Sequence, residues 1–308
     1  MALTFEKLRY FIVLAEELNF TRAAERVFMT QQAFSTHIRQ LEAWLGTPLF
    51  ERTTRDVKLT NVGRQLIGPV RDAMTQLDAA FAEVRALGGV RKLRVGVTSG
   101  GAGELMASIL EAFRRKHPDV AVEMLESAYE RPSCDLRDGL VDVALVRPPV
   151  NIDGIVLQEL FTEPIVLAVS TRHPLANATE VTLEEALAQP LVLARNTNPE
   201  WDNFWLLCEQ RGGRPQVAAT AGSLMEEIEI VAAGSASSFF PASTARVFAH
   251  HPGVSFLPII DGPVSKVALA WREKALPTLA RAFIEIVDQV VATEVDLVAA
   301  LEAGRQPD

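Results

Sequence analysis

Residues 20–60, FTRAAERVFMTQQAFSTHIRQLEAWLGTPLFERTTRDVKLT, leave this chain few ways to fold. They read as two helices joined by a tight turn, ending in a short polar hairpin. Ala23 and Ala24 are small enough for a second helix to cross closely. Val27, Met29, Phe34, Ile38, Leu41 and Leu45 supply apolar groups, the last four spaced four, three and four apart, which is one helical face. Thr30 stands where an N-cap is needed, its hydroxyl placed to accept from an orphan backbone N–H. The opposite face carries Gln31, Gln32, Ser35, Thr36 and Arg39, hydrogen-bonding groups of the kind that read base edges in a major groove.

An ordinary amphipathic helix pair with a solvated face would show the same periodicity. Residues 46–60 narrow the reading. Gly46-Thr47-Pro48 stops the helix, Leu49-Phe50 returns to the core, and Arg52, Arg55 and Lys58 alternate with small polar groups. Such a basic two-stranded wing is suited to phosphates, which position a reader helix without carrying sequence information.

The ordered string AAERV, TQQAFSTHIRQLE and LGTPLFERTTRDVKLTNVGR resembles the DNA-binding domain of LysR-type transcriptional regulators, without a break from about Leu8 to Gly63. It departs from that family at Gln32, where proline is usual, and at Thr36, where arginine is common. Both positions lie on the reading face, so the resemblance carries the fold and not the base preference.

The chain divides into three segments. Residues 1–60 are expected to form a mainly α winged helix-turn-helix, with a first helix over 4–18 packed behind it. Residues 61–89 form a long linker helix and hinge. Its Ile67, Val70, Met74, Leu77, Phe81 and Val84 make a heptad seam suited to pairing two helices, Pro69 should kink it, and Gly88-Gly89 end it. Residues 90–308 alternate strands and helices, which predicts an α/β domain of two lobes. Lobe I spans about 90–162 and 267–308, lobe II about 163–266, and the crossing falls at Thr162-Glu163-Pro164 between two strands. The motifs DLRDGLVDVALVRPP, LFTEPIVLAVSTRHPLA and the PAS after ASSFF make this half similar to the effector-binding domain of the same family, itself like periplasmic solute-binding proteins.

Charge fits that division. The chain's formal net charge is −9, yet residues 1–91 hold 12 basic against 10 acidic side chains, and the remainder 18 against 29. A net +2 beside a net −11 favours a design that keeps the acidic part away from the duplex. No apolar run approaches the roughly 20 residues of a membrane span. MALTFEKLRY lacks a signal-peptide core, so a cytoplasmic protein is expected.

A small organic anion, most simply a carboxylate, is expected between the lobes. Thr98, Ser99 and Gly100 close a strand ahead of a helix, where hydroxyls and free N–H groups suit an anion. Arg147 follows the strand VDVALV and could clamp a carboxylate bidentately. Asn196 and Thr197 would face them from lobe II, with Phe239 and Phe240 as an apolar wall. No catalytic set or nucleotide loop is present, and no metal or cofactor is expected: His37, His117, His173, His250 and His251 are scattered. The resemblance raises a thiol switch, because peroxide-sensing LysR-type proteins keep two cysteines in the segment corresponding to ARNTNPEWDNFWLLC of this chain. Here Cys208 remains while Pro199 takes the place of the reactive one.

The resemblance therefore implies a transcriptional regulator: a homotetramer built as a dimer of dimers, reading an interrupted palindrome in double-stranded DNA, with RNA polymerase as a further partner. The alternatives are an effector-independent DNA-binding protein, and a solute-binding protein or enzyme on the same lobes.

Overall fold

A computed structural model describes residues 3–52, 56–87, 91–98, 101–126, 134–137, 139–150, 154–195, 198–274 and 276–304. The chain divides into two compact units, Met1–Phe81 and Ala82–Asp308.

In the first unit α1 (Phe5–Glu17), α2 (Phe20–Arg26) and α3 (Gln31–Leu45) precede the antiparallel wing β1 (Phe50–Arg52) and β2 (Val57–Leu59), and α4 (Asn61–Leu87) comes next. Caps mark the helix limits. Asn19 Oδ1 accepts from the N–H groups of Thr21 and Arg22, and Thr30 Oγ1 from that of Ala33. Gly46 ends α3 in the left-handed region at φ 71°. Phe11, Leu14, Ala23, Ala24, Phe34, Ile38, Leu41 and Leu49 form the core. Glu16 ties three helices together by pairing with Arg26 of α2 and Arg71 of α4, at 2.7 and 2.8 Å. Gly63 meets the wing so closely that a Cβ there would lie 2.4 Å from the Leu49 carbonyl oxygen. The helix α4 runs on through Pro69. Its apolar stripe is divided: Ile67, Val70 and Met74 pack into the core of their own unit, whereas Leu77, Phe81 and Val84 are exposed.

The second unit begins with β3 (Arg91–Val97), α5 (Leu105–Lys116), β4 (Val120–Glu126), α6 (Cys134–Arg137) and β5 (Val143–Val146). These strands pair in parallel around β3. Then comes β6 (Ile155–Ser170), one continuous strand where two were expected. It continues through Thr162-Glu163-Pro164 because its neighbours change there instead. From Ile155 to Pro164 it pairs with β12 (Val264–Arg272), and from Ile165 onward with β10 (Ser238–Pro241) and β11 (Val254–Ile260). Pro164 withholds an N–H where the ladder changes partner, a position that tolerates proline. A bulge in the β12 pairing at Val267/Ala268 marks the lobe I side of this crossing.

Lobe II adds β7 (Val181–Thr182), α7 (Leu183–Leu187), β8 (Leu191–Ala194), α8 (Pro199–Trp205), α9 (Cys208–Arg211), β9 (Val217–Ala221), α10 (Leu224–Ala233) and α11 (Ala242–Val247). The segment PEWDNFWLLCEQR forms two helices, broken at Leu207, whose φ is 50° and whose side chain is buried. Burial of that leucine offsets the strained backbone. The C-terminal segment also forms two helices, α12 (Thr278–Thr293) and α13 (Val295–Glu302), and α12 packs on α5 through Phe283 and Phe113. Lobe II contains two apolar clusters, around Leu167 and Leu257 and around Ile228 and Phe240.

Candidate functional site

On the reader helix, Gln31, Gln32, Thr36 and Arg39 line the outer side of α3. Thr36 Oγ1 donates to the Gln32 carbonyl at 2.9 Å. Ser35, expected among the base readers, is only 8% exposed. Its hydroxyl accepts from Arg39 Nη2 at 3.3 Å, so it orients Arg39 instead. Arg52, expected to meet phosphate, lies 2.7 Å from Glu42 and stacks over the Phe20 ring, its carbon 4.8 Å from the centroid. Glu42 also accepts the Leu49 and Phe50 N–H groups. Arg52 therefore fastens the wing to α2 and α3, a role its place in an alternating polar run did not show. Lys58 is exposed on the wing, and Arg55 lies outside the described residues.

In the second unit the expected acid clamp needs correction. Arg147 is 1% exposed and faces Glu163, which is fully buried. Its Nη2 donates to Glu163 Oε1 at 2.6 Å and to Ser243 Oγ at 3.1 Å, and its Nη1 to Ser265 Oγ at 3.1 Å. Glu163 also accepts the Ser243 N–H at 2.6 Å. Burial lowers the Arg147 pKa, the charge and hydrogen bond of Glu163 oppose that, and the charge of Arg246 adds to the lowering. Glu163 and Ser265 are direct partners on β6 and β12, and Ser243 opens α11. The buried pair thus sits at the lobe crossing and joins strands of lobe I to lobe II. Sequence reading missed it because an arginine after a strand and a glutamate before a proline carry no sign of mutual burial.

Phe240 is 3% exposed and packs in the lobe II core around Ile228. Thr98 is 3% exposed, its N–H given to the Leu145 carbonyl, while Oγ1 has no partner among the described residues. Ser99, Gly100, Asn196 and Thr197 lie outside the described residues. Beyond Thr98, Gly101 and Gly103 adopt φ of 59° and 58°, and the turn they make brings Glu104 to the start of α5. Glu104 receives Arg246 Nε at 2.6 Å and Nη2 at 3.1 Å, a bidentate bridge from lobe I to α11. The helix start expected to hold a ligand's charge already holds this carboxylate. A Cβ on Gly103 would come within 3.3 Å of Ser243 and 4.0 Å of Arg246 Nη2, so turn and helix are in close contact. Arg246 Nη1, and Thr244 Oγ1 on the same helix, are buried without partners among the described residues.

Burial acts to raise the Glu104 pKa, but the hydrogen bonds and charge of Arg246 and its own backbone N–H outweigh it and leave the value below the usual 4.5. A carboxylate whose folded pKa is depressed adds stability above its unfolded pKa and loses it as pH falls through the folded value. The difference in urea midpoint between wild type and Glu104→Gln is thus expected to be constant from neutral pH to about 5 and to close on further acidification. A difference that persists undiminished at about pH 2 would show that the bridge is not ionic.

A small cleft, partly open to solvent, lies within lobe II. Trp201, Trp205, Leu206, Phe239 and Phe240 line it, and its charged lining residues, Asp202 and Glu227, are both acidic. Glu227 accepts a hydrogen bond from Ser238. Cys208 is half-buried beside the cluster around Leu206 and Leu207. No group of three or more metal-ligating side chains occurs among the described residues.

These two units match two family models. Residues 5–64 match the bacterial regulatory helix-turn-helix protein, lysR family, and residues 88–292 the LysR substrate binding domain. The chain belongs to the LysR family of transcriptional regulators. It is 32% identical over 247 residues to the HTH-type transcriptional regulator AlsR of Bacillus subtilis (strain 168), covering 78% of this chain and 81% of that one. It is 31% identical over 299 residues to the Hca operon transcriptional activator HcaR of Escherichia coli (strain K12), covering 93% and 97%. Full-length CbnR, crystallised with its target DNA, shares the fold at a TM-score of 0.52 and 24% identity, over 94% of this chain and 100% of that one. This LysR-family regulator therefore joins a DNA-binding unit to a small-molecule-binding unit. No helix among its described residues is long and apolar enough to cross a membrane.

Proposed function

We propose that this regulator, not an enzyme, reads an interrupted palindrome as a dimer of dimers in the cytoplasm and is controlled by a small organic anion bound where its two lobes meet. RNA polymerase would be the partner through which it acts. The observation that carries the ligand reading is Arg246 Nη1, buried without a partner among the described residues where α11 meets the turn before α5, with Thr98 Oγ1 at the end of β3 and Thr244 Oγ1 on α11 likewise unpartnered. Buried donors without partners are costly, and an acid accepting from them would remove that cost. Arg246 replaces Arg147 as the donor in this scheme, because its Nη1 is left over after Nε and Nη2 pair with Glu104, whereas Arg147 is held in the core against Glu163. The lobe II cavity suits an acid less well, since its two charges are negative.

A ligand touching both lobes favours one lobe arrangement, and only that differential affinity can redirect an oligomer on DNA. On the DNA side, Gln31, Gln32, Thr36 and Arg39 are proposed to meet bases and Lys58 phosphate, with Ser35 and Arg52 holding them in place. The test combines footprinting upstream of the protein's own coding region with thermal shifts for a panel of aliphatic and aromatic acids. Gln32→Ala should lower the ratio of specific to non-specific affinity, and Lys58→Ala should weaken both and reduce the salt slope by about one. Acids should stabilise wild type and fail on Thr98→Val and Arg246→Met proteins. Acids acting equally on all three would remove the junction as the site.

A further inference from the structure

The residue that costs the first unit most visibly is Phe28. It occupies the turn between α2 and α3 with φ at 56°, and its side chain is 97% exposed. Its N–H bonds to the Glu25 carbonyl at 3.0 Å and that of Met29 to the Ala24 carbonyl at 2.9 Å, so the turn backbone is fixed in this shape. The left-handed region is unfavourable for any residue with a Cβ, and glycine would occupy it freely. Leu207 shares the strain but is 1% exposed, so packing offsets it. Phe28 shares the strain and gains nothing from burial. An aromatic ring held in water on a strained backbone calls for a use outside the folded unit.

Its position says what that use is. Phe28 stands two residues before the Thr30 cap of α3, and Gln31 and Gln32 open that helix on its exposed side. In a helix-turn-helix the N-terminal residues of the second helix enter the major groove. The turn leading into them is carried to the rim of the same groove. The accessible apolar groups there are thymine methyls and deoxyribose carbons, and phenylalanine contacting a thymine methyl is an established form of base readout.

We infer that Phe28 is a DNA-contacting residue of this regulator, placing its ring against apolar groups of the operator beside the bases read by Gln31 and Gln32. The inference rests on the DNA-binding reading of α3. The contact is apolar, so it releases no counterions. This separates it from the phosphate contacts, whose loss flattens the salt dependence. It also reverses the usual relation between stability and function: replacing Phe28 by glycine removes the Cβ that strains the turn and the ring that meets DNA, so it relaxes the fold and weakens the complex.

The experiment uses the full-length protein and an operator fragment defined by footprinting. Phe28→Gly should raise the unfolding temperature of the first unit by a few degrees while weakening operator binding about tenfold, with the slope of log K against log salt unchanged. Phe28→Tyr, which keeps the ring, should retain most of the affinity. Replacing operator thymines by uracil one at a time assigns the contact. One position that weakens wild type but not Phe28→Gly marks a methyl, and no such position marks the sugar edge. Operator affinity unchanged in Phe28→Gly, with Gln32→Ala still losing specificity, would overturn the inference and leave the reading of α3 standing. So would a weaker complex that comes with a smaller oligomer in light scattering, which would place the ring between copies of the chain.

Discussion

Glu163→Ala is expected to lower the unfolding free energy of residues 82–308 by about 3–5 kcal/mol, read from urea midpoints at neutral pH. Arg147 and Glu163 are 1% and 0% exposed and 2.6 Å apart. Removing the carboxylate strands a guanidinium that cannot lose its proton at any ordinary pH. Ser243 and Ser265 can still accept from it, but neither supplies charge. The Ser243 N–H at the start of α11 loses its acceptor as well. The size of the effect is set by the orphaned charge and not by the worth of the pair. The double substitution Arg147→Met/Glu163→Leu should therefore recover most of the loss. It should also loosen the lobes, because α11 would no longer be tied to the crossing strands, and the thermal response to an acid effector should shrink. A Glu163→Ala protein within about 1 kcal/mol of wild type would mean that water reaches the pair.

The pair also shows where sequence reasoning stopped. Reading α3 required only local facts: a capping threonine, an apolar face at helical spacing and a terminating glycine, and each holds as expected. The strands around β3 were legible for the same reason, since short apolar runs between helical patterns specify parallel pairing. Partners brought together only by the crossing of distant strands leave no such trace. Arg147 looked available because it follows the strand VDVALV at a strand end; Glu163, Ser243 and Ser265 reach it only where β6 and β12 meet α11. Arg52 misled in the same way, because Glu42 and Phe20 approach it through tertiary packing. The division of β6 into two strands was a different failure. Pro164 reads as a stop, but a proline is compatible with a strand at the point where the ladder passes from one neighbour to another.

The α4 stripe shows both outcomes in one helix, and the second large effect is expected there. Its first half, Ile67, Val70 and Met74, packs within the DNA-binding unit, as an intradomain helix would. Its second half leaves Leu77, Phe81 and Val84 exposed by 44, 52 and 63% in the single chain, at the three- and four-residue spacing of a coiled-coil seam. A second copy of the same helix is the partner that such a self-complementary stripe fits. Leu77→Asp should therefore spare the fold of each chain and break the assembly. Its unfolding temperature at low protein concentration should match wild type, its mass in light scattering should fall, and operator affinity should drop about 100-fold or more as two linked half-site contacts become independent. Val70→Asp gives the contrast. That side chain is 7% exposed, so the charge should unfold the first unit itself. Leu77→Asp protein that keeps its mass and its operator affinity would show that the exposed half of the stripe pairs with nothing in solution. Dimerisation would then have to be sought on another surface.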